Sequence, residues 1–146
     1  MKLSKKQWQG LLALLYALLM LYLLFLQRQP RRLELSYRDC LRSGLELELF
    51  RATRRYLYIA RSDLSTALVY LGGNVLCFVP LGVFLSMGGR RFWPMLGLAF
   101  GLILGVELLQ YFSTLGYFDI DDLVSNLLGV LLGRLLWRLW PRSQKP

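Results

Sequence analysis

The sequence predicts an all-α, polytopic integral membrane protein with four transmembrane helices and a partly ordered polar loop between helices 1 and 2. Two observations carry that prediction. Hydrophobic residues make up 55 % of the chain and fall in blocks, where a soluble protein of 146 residues would interleave its polar face. The run Leu11–Leu26 is sixteen residues long and has no polar group beyond its tyrosine hydroxyls. With Trp8–Gly10 it reaches the ~20 residues that span a bilayer. The basic residues, which leave a net charge of +9, cluster at the ends of the apolar blocks. In a membrane protein this pattern reads as topology and anionic-lipid contact, not nucleic-acid binding.

The first predicted span is residues 8–26, preceded by Lys2, Lys5 and Lys6. Its apolar core is long for a signal peptide, and Gln27-Arg28-Gln29-Pro30 offers no small-residue cleavage site, so an uncleaved helix is expected. Residues 27–63 form the longest polar segment, with nine arginines and five acidic residues. The alternating stretches Leu33–Tyr37 and Leu45–Leu49 hint at short strands. Ala52, Tyr56, Ile59 and Ala60 share a helical face, which reads either as a short interfacial helix or as a solvated loop.

The second span, residues 64–85, is interrupted by Asn74 and Pro80. Pro80 cannot donate to the carbonyl of Leu76, so a kink is expected. Asn74 lies deep in an apolar run and should hydrogen-bond to another helix. The third span, residues 92–112, carries Gly97, Gly101 and Gly105 at every fourth position, a spacing that lets helices approach closely. Glu107 and Gln110 sit on another face, so this helix is expected to be central. The fourth span is residues 119–140, and Arg134 within it can snorkel towards Trp137, Arg138 and Trp140. Four spans put Trp8, Trp93, Trp137 and Trp140 on one interface, as an aromatic belt. Both termini are then expected inside, with the polar loop and the 118–122 turn outside. Cys40, in that loop, should react with an impermeant thiol reagent, and Cys77 should not.

The densest polar feature is Phe118-Asp119-Ile120-Asp121-Asp122, with three of the nine acidic residues within four positions. On a helix, Asp122, Asn126, Gly129 and Gly133 share one narrow arc. Carboxylates in apolar runs are costly and are functional candidates. Asp119 and Asp121 have a second reading as helix N-caps. Glu107 and Gln110 are expected to face Asp122 and Asn126 across the short 113–117 turn. An Mg²⁺ or Ca²⁺ ion on Asp119, Asp122 and Glu107 is an alternative, as are a protonated Glu107 and a pairing with a loop arginine. The chain has no histidine, which removes the commonest general base. No nucleophile–base constellation or phosphate-cradling glycine loop is present.

The residues Asn74-Val-Leu-Cys-Phe-Val-Pro80-Leu-Gly82, Glu107-Leu-Leu-Gln110 and Phe118–Asp122 with Asn126 and Gly129 resemble the VanZ-like family, over about Leu45 to Leu139. The chain departs from that pattern at Leu115-Gly116-Tyr117, where an Arg is often found. It departs again at Asn126-Leu127-Leu128-Gly129 and at Glu46–Phe50. The resemblance implies a small multi-pass protein of the bacterial cytoplasmic membrane. The family's founding member is associated with resistance to the glycopeptide teicoplanin, without an established catalytic mechanism. The function so implied is non-enzymatic. It confers or modulates resistance to teicoplanin-type glycopeptides through an external cluster that binds lipid or cell-wall precursor. That cluster is Asn74, Pro80, Glu107, Gln110, Asp119, Asp121, Asp122 and Asn126, with Arg51, Arg54, Arg55 and Arg61 contacting anionic lipid. No cofactor, resident metal or nucleic acid is implied; membrane lipids, a precursor lipid or a lipoglycopeptide are the expected partners. The alternative is a metal-dependent membrane enzyme acting on a lipid-linked phosphate.

Overall fold

A computed structural model describes residues 4–26, 35–61 and 63–141. Among these residues six α-helices follow in order, with a two-residue strand before α3 and another before α6: α1 (Lys5–Leu21), α2 (Tyr37–Ser43), β1 (Leu45–Glu46), α3 (Arg51–Ile59), α4 (Leu64–Met87), α5 (Phe92–Ser113), β2 (Phe118–Asp119) and α6 (Ile120–Leu139). Among the described residues three helices, Lys6–Leu26, α4 and α5, are long and apolar enough to cross a membrane. They correspond to the first three predicted spans. The Gln27–Pro30 stretch, and Leu33 and Glu34 of the first alternating segment, lie outside the described residues. Tyr37 of that segment starts α2 and is not in a strand. The second alternating segment does supply β1, at Leu45–Glu46.

α1 starts at a capping box in which Ser4 and Gln7 satisfy each other's backbone N–H groups. It ends in a wide π-turn, Tyr22–Leu26. Such a turn leaves carbonyls without their usual partners, and Gln110 Nε2 donates to one of them, Leu24 O, at 3.0 Å. Tyr16 ties the helix to α4 by donating to the Cys77 carbonyl at 2.8 Å.

The central pair is α4 and α6. Methyl groups built on Gly129 and Gly133 would lie 2.2 Å from Val75 O and 2.0 Å from Val79 O; one on Gly82 would lie 2.1 Å from Val130 O. Only glycine allows this approach. The contacts rise together along both chains, so the two helices run parallel. α4 continues unbroken through Pro80.

This corrects the sequence reading of α5. A methyl group on Gly97, Gly101 or Gly105 would meet nothing within 4 Å, so that stripe faces away from the rest of the chain. The buried face of α5 is Met95, Ala99, Ile103, Glu107 and Gln110. The apolar core joins Met95, Ala99 and Ile103 to Phe78 and Leu85 of α4 and Val130 of α6. Spacing located the small residues, but it did not distinguish a seam from an open face.

β1 and β2 pair in parallel, Leu45 opposite Phe118 and Glu46 opposite Asp119. This brings the segment before α4 onto the turn before α6. Tyr111 Oη donates to Leu41 O at 3.0 Å and anchors α2 to the end of α5. Cys40, expected to be reachable, is 1 % exposed on the buried face of α2. At the opposite end, an apolar groove brings Leu12 of α1 and Met87 of α4 together with Trp137 and Trp140.

Candidate functional site

The site is built at the end where β1 and β2 meet. Asp119, at the end of β2, accepts the N–H of Asp121 at 2.8 Å and caps α6, satisfying one of its orphan donors. Burial pushes the Asp119 carboxyl above the usual carboxylate range, and the neighbouring Asp121 and Glu46 charges add to the effect. Asp121 does not extend the acidic surface. Its carboxylate accepts the backbone N–H groups of Phe50 and of Thr53, the latter at 2.9 Å, and so caps α3 from seventy residues away in sequence. Phe50 needs that anchor: its φ of 64° is a left-handed conformation that bulky residues avoid. The expected pairing of this acidic turn with a loop arginine is thus replaced, at Asp121, by backbone capping.

Asp122 accepts from Asn74 Nδ2 at 2.5 Å, the cross-helix bond expected of an amide in an apolar run. The Asp122–Asn126–Gly129–Gly133 arc therefore faces α4. Gln110, expected to face Asp122 and Asn126, gives its Nε2 donor to Leu24 O in the π-turn of the first helix. Glu107 and Asn126 are each at most 3 % exposed inside the bundle. Asn126 Oδ1 is buried there without a hydrogen-bond donor. Pro80 lies within α4, outside the site. The alternative of an ion held by Asp119, Asp122 and Glu107 finds no support: among the described residues no three His, Cys, Asp or Glu side chains come together to hold a metal.

What remains is a polar cavity of about 620 Å³ lined by Ser43, Glu46, Arg51, Arg55, Tyr56, Tyr70, Tyr117, Asp119 and Asp122, with Ala52 at its wall. Arg51 also pairs with Glu46 at 3.0 Å. Tyr56 of α3 and Tyr70 of α4 stack with ring centroids 3.6 Å apart and form one aromatic wall. Arginines and carboxylates line the same cavity, a mixture suited to a ligand with both acceptor and donor groups. Arg54 and Arg61 do not line the cavity. Arg54 pairs with Glu48 and donates to the Phe50 carbonyl, and Arg61 lies over the ring of Tyr58.

Sequence reasoning supplied Arg51, Arg55, Asp119 and Asp122 of this lining. It missed Tyr70, Tyr117 and Ser43, and read Glu46 only as part of a strand. Tyrosines among apolar residues carry no local signal beyond an interfacial preference.

A family model described as VanZ/LLP1 matches residues 13–141. No curated protein and no solved structure matches the chain. The matched region takes in all three apolar helices except the first residues of one, the capped turn and the polar cavity. The chain is thus a multi-pass membrane protein that belongs to the VanZ/LLP1 family.

Proposed function

We propose that this protein is a non-enzymatic component of the bacterial cytoplasmic membrane. In this reading it binds a lipid-linked cell-wall precursor in the external polar cavity and lowers susceptibility to teicoplanin-type glycopeptides. The observation that carries the reading is that one cavity is lined by arginines (Arg51, Arg55), by carboxylates (Asp119, Asp122) and by a stacked tyrosine pair. A precursor presents phosphates to the first, hydroxyls and amines to the second, and sugar or peptide faces to the third.

The orientation belongs to the same proposal. α6 has 20 residues, about 30 Å at 1.5 Å per residue, which matches the hydrocarbon core. It runs parallel to α4, and Asp122 in its first turn is bonded to Asn74 of α4, which supports reading it as a fourth span. The termini then lie in the cytoplasm and the cavity faces outward. Teicoplanin carries an acyl chain that brings it to the membrane face, whereas vancomycin lacks one. A protein acting at that face therefore discriminates between them.

The test is the minimal inhibitory concentration of each drug in a Gram-positive host expressing the chain at matched levels. Protection against teicoplanin should exceed protection against vancomycin. Arg55→Gln and Asp119→Asn should reduce it; asparagine keeps the cap on α6, so the second variant changes charge alone. Equal protection against both drugs, or full protection by the double variant, would remove the cavity from the mechanism.

A further inference from the structure

At the opposite end, about 20 Å along α6 from the cavity, stands a buried cation with no counter-charge among the described residues. Arg134 is 8 % exposed. Its expected route outward, snorkelling past Trp137 and Trp140, is not taken; the guanidinium turns inward, towards the start of α5. Nη1 reaches Arg90 O at 3.5 Å and Met95 Sδ at 3.1 Å. The guanidinium carbon lies 5.3 Å from the centre of the Phe92 ring. A carbonyl at the limit of hydrogen-bond length, a thioether and an aromatic face are weak partners for five N–H donors. Among the described residues Nε has no hydrogen-bond partner, and no carboxylate pairs with this arginine. A buried charge left so is strongly unfavourable.

The groups it meets belong to a helix N-terminus that also lacks an anion. α5 is 22 residues long and its N-cap, Arg91, makes no side-chain cap bond. Three residues on, Pro94 has no N–H to offer, which leaves the N–H groups of Phe92 and Trp93 and the positive end of the helix dipole facing outward. The residues flanking that N-cap, Arg90 and Phe92, are the ones Arg134 touches. A cation and a positive helix end converge on one point, and the charge they are built to receive is negative.

We propose that Arg134 and the N-terminus of α5 form a binding site for the phosphate of an anionic phospholipid. A phosphate supplies acceptors for both Nε and the free N–H groups. Two features of this end favour a lipid as its source. Trp93, Trp137 and Trp140 mark it as a membrane interface. The same end also carries the apolar groove of about 590 Å³, lined by Leu12, Val83, Met87, Trp137 and Trp140, which suits an acyl chain. The site involves none of the cavity residues, so it stands or falls independently of the proposed function.

The experiment uses the full chain in phosphatidylcholine nanodiscs with a small fraction of brominated phosphatidylglycerol or brominated phosphatidylcholine, read by tryptophan quenching. The unmodified chain should be quenched preferentially by the glycerol lipid, and Arg134→Gln should weaken that preference about tenfold or more, the loss of a hydrogen bond to a charged group. Arg138→Gln, an exposed arginine one turn on, should leave it nearly unchanged. Equal quenching of the unmodified chain by both lipids overturns the proposal without any variant. So does an equal effect of the two arginine variants, which would mean diffuse surface charge. If millimolar inorganic phosphate removes the preference, the ligand is a soluble phosphate and the lipid assignment fails.

Discussion

Replacing Gly133 with alanine tests the seam that holds the bundle together. The new methyl would sit 2.0 Å from Val79 O, 2.9 Å from Val83 N and 3.0 Å from the Cα of Gly82. These are backbone atoms of a continuous helix, so no side chain can turn aside. Restoring a normal contact of about 3.5 Å requires α4 and α6 to separate by roughly 1.5 Å. Gly129 and Gly82, on either side, seat the same two backbones, so the separation opens the whole seam and strains the Asn74–Asp122 bond above it. Overpacking of ordinary cores costs about 1–3 kcal/mol, and a backbone-on-backbone clash belongs at or above the top of that range. Gly101→Ala is the control: nothing lies within 4 Å of it, and alanine favours the helix by up to about 1 kcal/mol. Both variants would be melted in the same detergent, followed by tryptophan fluorescence. Gly133→Ala should melt well below the unmodified chain, and Gly101→Ala at or slightly above it. Equal melting of Gly133→Ala and the unmodified chain, or a loss in Gly101→Ala as large as in Gly133→Ala, would show that the seam has been assigned to the wrong glycines.

Three further outcomes are expected. Asp121→Ala leaves the N–H groups of Phe50 and Thr53 uncapped, which should cost about 1–2 kcal/mol and accelerate hydrogen exchange at the start of α3; unchanged exchange there would refute the cap. Asp63 caps α4 and accepts from Ser65, and twice from Thr66 (hydroxyl and N–H); these bonds lower its carboxyl from 3.8 to about 2. The folded value lies below the unfolded one, so the cap's contribution is complete above pH 3.8 and disappears as pH falls through about 2. Protection of the Thr66 amide should follow that window, and Asp63→Asn should abolish its pH dependence; equal protection at both ends of the window would contradict the assignment. With Cys40 buried, topology is better read from Leu47→Cys in a Cys40→Ser background, since Leu47 is 58 % exposed. An impermeant thiol reagent should label it on intact cells, and labelling only after permeabilisation would reverse the proposed orientation.

The three apolar spans could be read from the sequence because spanning a membrane depends on the length and hydropathy of a continuous segment, both local properties. So could the bond made by Asn74, since an amide in an apolar run must find a partner on another helix. The partner itself, Asp122, followed only from how the helices sit. Gly97, Gly101 and Gly105 on α5 and Gly129 and Gly133 on α6 share the same four-residue spacing, yet only the second set forms a seam. Periodicity states which residues share a face; it contains nothing about what that face meets. The same limit explains Asp121, Gln110 and Arg134. Each reads from sequence as a polar residue of its own helix, and each is turned to a partner on another element: the α3 N-terminus, the π-turn after α1, and the start of α5. Tertiary structure alone decided these, because a buried polar group takes whichever donor, acceptor or charge the packing brings within 3 Å or so, and packing is set by the whole chain.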